Sequence, residues 1–136
     1  MTGEVKVRKN WLKAVYIGTI IVAGLTGLCV IFAPELWRSI FAWPVTEPYI
    51  LGITGSVFLA FGILAIFGLR EPLKFSPVLL LQLFYKAIWL VGVIAPAAIS
   101  GNFPMYAVAP IIIFAAFVIA DLIAIPFAYI FAKPTK

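Results

Sequence analysis

The chain contains no histidine and a single cysteine, Cys29, and only 11% of its 136 residues are charged. Without histidine, the commonest proton-transfer group near neutral pH is missing, along with the usual ligand sets for zinc, haem and copper. One cysteine excludes an internal disulfide framework. A water-exposed globular domain carries roughly a quarter of its residues as charges, so the shortage here excludes that class. There is no Ser/His or Cys/His pair, no phosphate-binding glycine loop and no pair of carboxylates at catalytic spacing. An enzyme is not the expectation, and neither a metal nor a cofactor is called for.

What fills the chain instead is apolar: 65% of the residues are hydrophobic and the mean hydropathy is +1.17. That length accommodates about four membrane spans of roughly 20 residues each, with no room for a separate soluble domain. The apolar runs place the spans at about 11–32, 49–69, 76–99 and 106–131. The expected fold is all-α, an integral membrane four-helix bundle forming one domain over 1–136. The first run is too long for a cleaved leader and reads as a retained span.

The net charge of +5 does not point to nucleic acid. Lys6, Arg8, Lys9 and Lys13, then Arg70 and Lys74, then Lys133 and Lys136 flank the apolar runs, as the positive-inside rule requires. With four spans, every basic cluster falls on one side. The expected location is the cell inner (plasma) membrane, multi-pass, with both termini cytoplasmic and the lipid bilayer as the immediate partner.

Between the first two spans, Pro34 and Glu35 stand where a helix N-terminus favours proline and an acid. A short interfacial helix is expected there, with Trp37, Arg38 and Trp43 at headgroup depth and Pro44 ending the element. Gly18, Thr19, Gly24, Thr26 and Gly27 in the first span, and Gly52, Thr54, Gly55, Ser56 and Gly62 in the second, are small residues of the kind that let helices approach closely. Pro96 is expected to kink the third span, because proline removes a backbone hydrogen bond and clashes with the preceding turn.

The chemistry is concentrated in Leu81–Leu90. Gln82, Tyr85, Lys86 and Trp89 fall at i, i+3, i+4 and i+7, on one face of a helix that cannot face lipid. Counting about 1.5 Å per residue from residue 76, Lys86 lies ~15 Å deep, and Asp121 lies ~15 Å deep counted from residue 131. An unpaired Lys or Asp at that depth costs about 2.5 to 3.5 kcal/mol, so a buried Lys86–Asp121 contact is expected, with Gln82 and Tyr85 nearby. Whether both groups carry charge depends on whether water reaches them. Two uses of the site stay open: fixing the register of two helices, or serving a substrate, proton or ligand.

The stretch Arg70-Glu71-Pro72-Leu73-Lys74-Phe75-Ser76-Pro77-Val78-Leu79-Leu80-Leu81-Gln82-Leu83-Phe84-Tyr85-Lys86-Ala87-Ile88-Trp89 resembles small bacterial four-span proteins, and the overall plan is similar to the DoxX-like group. Members of that group are linked to thiosulfate–quinone oxidoreduction, to maturation of partner enzymes and, more distantly, to receptor chaperoning. The resemblance implies accessory work beside a larger membrane protein and carries over no catalytic residue. The leading expectation is a non-enzymatic accessory or assembly subunit that packs against another membrane protein or a second copy of itself. The rival is a small oligomeric transporter, or a quinone- or lipid-binding membrane protein, that uses Lys86, Asp121, Gln82, Tyr85 and Trp89.

Overall fold

The computed structural model describes residues 7–44 and 47–134; Lys6 and Lys136, counted above among the basic flanks, lie outside the described residues. Four helices are long and apolar enough to cross a membrane: α1 (Lys9–Phe32), α3 (Pro48–Arg70), α4 (Ser76–Ile99) and α5 (Met105–Ala124). Two short helices complete the chain, α2 (Pro34–Phe41) after the first span and α6 (Phe127–Ile130) after the fourth. The molecule is an all-α bundle.

Local chemistry sets the helix ends. At the start of α3 the Glu47 carboxylate accepts hydrogen bonds from the backbone N–H groups of Tyr49 and Ile50 at 3.2 and 2.6 Å, and Pro48 occupies the first turn where its missing N–H costs nothing. α2 stops at Ala42, whose left-handed backbone (φ 52°) lets Trp43 N–H return to the Arg38 carbonyl at 3.0 Å. Arg38 then secures the turn. Its guanidinium donates to the carbonyls of Trp43 and Pro44 and pairs with Glu35 at 3.4 Å. The rings of Trp37 and Trp43 lie 5.4 Å apart, and Trp43 meets Tyr106 edge-on at 4.7 Å, which ties α2 to the start of α5.

The fourth span ends earlier than its apolar run does. The run continues to residue 131, but α5 stops at Ala124 because Pro126 disfavours helical backbone at the residue before it, and Ile125 is extended (φ −66°, ψ 126°). That break moves Asp121 to the last turn of its helix.

The glycines of α1 and α3 face each other as a seam. A Cβ on Gly62 would sit 2.7 Å from the Cα of Gly24, one on Gly27 would sit 2.6 Å from the Gly55 carbonyl oxygen, and one on Gly68 would overlap the Tyr16 ring. Only residues without a side chain allow this approach. Gly68 was not among the expected contact residues, whereas Gly52, which was, has nothing within 4 Å.

At one end of the bundle the core closes around Leu12, Tyr16, Ala65, Leu79, Leu83, Ala124 and Ile125. Tyr16 Oη donates to the Pro72 carbonyl at 2.7 Å, and Arg8 donates to the Ile123 carbonyl at 3.1 Å, so the start of α1, the end of α5 and the α3–α4 connection meet there. This is the end that carries Arg8, Lys9, Lys13, Arg70 and Lys74, the basic end. The opposite end, carrying α2 and the aromatic residues around it, is the aromatic end.

Neither α1 nor α4 is regular along its length. A π-helical turn occupies Ile20–Gly24 in α1 and another occupies Leu90–Ile94 in α4. The second has a visible cause. Pro96 cannot donate to the carbonyl four residues back, at Gly92, and the ladder widens into a π turn around the defect. The extra residue turns the inward face by about 100°. Continuing Gln82, Lys86 and Trp89 by helical spacing would bring Val93 inward; instead Val93 is 54% exposed and Ile94 only 8%. Nothing in the structure explains the π turn of α1.

Candidate functional site

Gln82 and Lys86 are one turn apart on the buried face of α4, with Tyr85 and Trp89 half-buried beside them. The face called polar on spacing alone is therefore turned inward, with Gln82 at 0% and Lys86 at 3% exposure. Its partners, however, divide into two layers.

The lower layer, toward the basic end, joins three helices. The Gln82 side-chain amide donates to both carboxyl oxygens of Asp121 at 3.3 Å each, and its own oxygen lies 3.3 Å from the Thr19 hydroxyl of α1. Thr19 also reaches the Val15 carbonyl at 2.9 Å, so one proton serves either acceptor. All three side chains are fully buried, and no buried side-chain N or O atom among the described residues lacks a partner. A satisfied network of this kind specifies one arrangement of helices rather than reacting.

The upper layer holds Lys86. Its Nζ donates to Tyr85 Oη at 2.9 Å and lies 4.7, 5.0 and 4.7 Å from the ring centres of Tyr85, Phe114 and Phe117. Aromatic faces attract a cation by their quadrupole, worth up to about 2 kcal/mol when water is excluded. The three rings form a cage around the ammonium group.

The expected Lys86–Asp121 contact is not made: no ion pair within 4 Å joins them, and the two groups act on each other only across one helical turn. The early end of α5 gives the reason: the helix stops at Ala124, so Asp121 falls in its last turn, nearer the basic end than a helix running to residue 131 would place it. The acid is level with Gln82 and takes its amide. The lysine stands one turn higher, among rings. Phe114 and Phe117 were overlooked on the sequence, although they stand at i−7 and i−4 from Asp121 and so share its face. Thr19 was taken for a packing residue.

Above Lys86 the bundle is not filled. A cavity of about 660 Å³ extends from Tyr85, Lys86 and Phe117 to Trp37, Trp43 and Glu47 at the aromatic end, bounded by α1, α3, α4 and α5 and flanked by α2. On α5 it runs from Phe117 to Pro110, seven residues, or about 10 Å of depth. Its walls are mostly rings and aliphatic side chains. Trp89 contributes through its ring, 5.0 Å from that of Phe114. Trp37, Arg38 and Trp43 thus belong to two structures: Arg38 holds the turn after α2, and the two tryptophans border the cavity.

Compared with known protein families, with curated proteins and with solved structures, the chain matches none. The DoxX-like resemblance accordingly brings no residue roles into the site.

Proposed function

We propose that the protein is a membrane-embedded binding protein for an amphiphilic small molecule of the lipid or quinone class, held in the cavity with its polar end on Lys86 and Tyr85. One observation carries the proposal: an ammonium group with three donors gives one to Tyr85 and stands at the floor of an apolar cavity. The volume lies within the roughly 300–1,000 Å³ usual for small-molecule sites, and a few convergent polar groups at one end of an apolar pocket is their usual construction. The basic end would face the cytoplasm of the inner membrane, since Arg8, Lys9, Lys13, Arg70 and Lys74 flank the spans there against Arg38 alone at the other end.

Trp37, Trp43 and Trp89 border the cavity and supply the test, while Trp11 lies at the basic end. In nanodiscs, a chain-brominated fatty acid or a short-tailed benzoquinone should quench the three cavity tryptophans saturably and leave Trp11 unaffected. Non-saturating quenching of all four alike would refute a binding site.

A role as accessory subunit was motivated by small-residue faces. Gly24, Gly27, Gly55 and Gly62 are engaged within the chain, which leaves Gly52 and Ser56 as the small residues a partner helix would meet. Co-purification in mild detergent, before and after Gly52→Leu, tests that role separately. Loss of a partner on substitution would support it.

A further inference from the structure

We infer that the occupant of the cavity is an organic anion, a monocarboxylate on an apolar body of the fatty-acid class; this rests on the binding role proposed above and narrows it. The floor of the cavity offers donors and no acceptor. Tyr85 Oη accepts from Lys86, which leaves its own hydrogen for a ligand, and two ammonium hydrogens remain beside it. A neutral carbonyl would take one of these hydrogens and bring no charge into contact with the ammonium group, whose nearest acid stands one turn below. A carboxylate takes two and supplies the countercharge, making charge-assisted bonds about twice as strong as neutral ones.

Neither of the two acids nearest the cavity makes ion-pair contact with Lys86, although Asp121 acts on it across one helical turn. Asp121 is held by Gln82 one turn below, and Glu47, the acid on the cavity wall, caps α3 at the mouth with both of its oxygens. The rings of Tyr85, Phe114 and Phe117 keep the ammonium group in place without providing that charge. They also leave it accessible from above, through walls of Val57, Phe58, Trp89 and Ile113 that suit a hydrocarbon body. Whether the proton starts on Lys86 or on the acid, the bound state is the same ammonium–carboxylate pair. An ordinary membrane lipid, with its headgroup at the interface and its chains at depth, would place hydrocarbon against the ammonium group. A single acid bound head-down does not.

The test compares one brominated chain carrying three heads, a carboxylate, an alcohol and a methyl ester, with a short-tailed benzoquinone, in phosphatidylcholine nanodiscs containing the full chain. Quenching of the cavity tryptophans reports each affinity. The carboxylate should bind about tenfold or more tightly than the alcohol or the ester, the margin expected of hydrogen bonds to a charged group. Lys86→Gln should weaken the carboxylate far more than the alcohol and so collapse that margin, and Lys86→Arg should retain part of it. Should Lys86→Gln not insert, Tyr85→Phe provides the second variant, with the margin reduced several-fold. Equal binding of all three heads, or a preference for the quinone, overturns the inference and leaves the binding site standing. Absence of saturable quenching by any compound removes the site itself.

Discussion

The two ends of the bundle use the same four helices and are filled in opposite ways. At the basic end, Leu12, Tyr16, Leu79 and Ile125 meet in a closed core, and Tyr16 bonds to the α3–α4 connection. At the aromatic end the helices surround about 660 Å³ of space. The change comes just above the Thr19–Gln82–Asp121 layer, and each π turn lies within five residues of Thr19 or Trp89 on the open side. The contrast teaches that a chain this short can set a close-packed core and an unfilled space at different depths of one bundle. The closed end is held by its core, and the open end has the ammonium group with donors in hand.

The seam through both ends is the place to break the comparison most severely. Gly27→Leu would drive a side chain into the Gly55 carbonyl and the Leu59 backbone, 2.5 to 2.9 Å from the first added atom. Overpacking usually costs about 1 to 3 kcal/mol, and backbone cannot yield as a side chain can, so a loss at or above the upper figure is expected in detergent unfolding titrations. Unchanged unfolding would mean that α1 and α3 do not meet there.

Gln82→Leu comes next. It strips Asp121 of its side-chain partner, and a buried polar group so abandoned costs about 1 to 3 kcal/mol, more when it is charged. Ligand affinity should fall far less than stability does, because the amide does not border the cavity. Equal losses in both would merge the two layers into one. A smaller effect is expected from Trp43→Ala, which removes ring contacts with Trp37 and Tyr106 worth about 0.5 to 1.5 kcal/mol each. Here the ordering reverses: exchange of ligand through the aromatic end accelerates, and unfolding shifts by no more than the two lost ring contacts.

Pro96→Ala sharpens the comparison with the least energy. It restores the missing donor and removes the reason for the π turn of α4, which would rotate Val93 inward and Ile94 outward. Cysteines introduced at 93 and 94, labelled from the lipid phase, should exchange their reactivities in the alanine background. If both retain their present exposure, the π turn has another cause.

Much of this plan was legible in the residues. Long apolar runs bounded by charge located the four helices, since span length is set by the bilayer and leaves little choice. The inward face of Gln82 and Lys86 followed from helical spacing and from the cost of exposing either to lipid. The pairing of Lys86 with Asp121 did not follow, because it depended on where α5 ends. An apolar run does not reveal that its helix stops at Pro126, and a displacement of one turn, about 6 Å, decides which side chain Asp121 meets. The ring cage was hidden for a different reason: Phe114 and Phe117 look like ordinary lipid-facing residues until a cation is placed beside them. Cavities leave no mark on a sequence, being the space that side chains fail to fill.

The plug formed by Leu12, Tyr16 and Leu79 has a consequence for traffic. In this conformation the plug lies between the cavity and the basic end, so the space reaches Trp37 and Trp43 and does not run on through the bundle. A continuous path from end to end would require the Tyr16–Pro72 latch to let go.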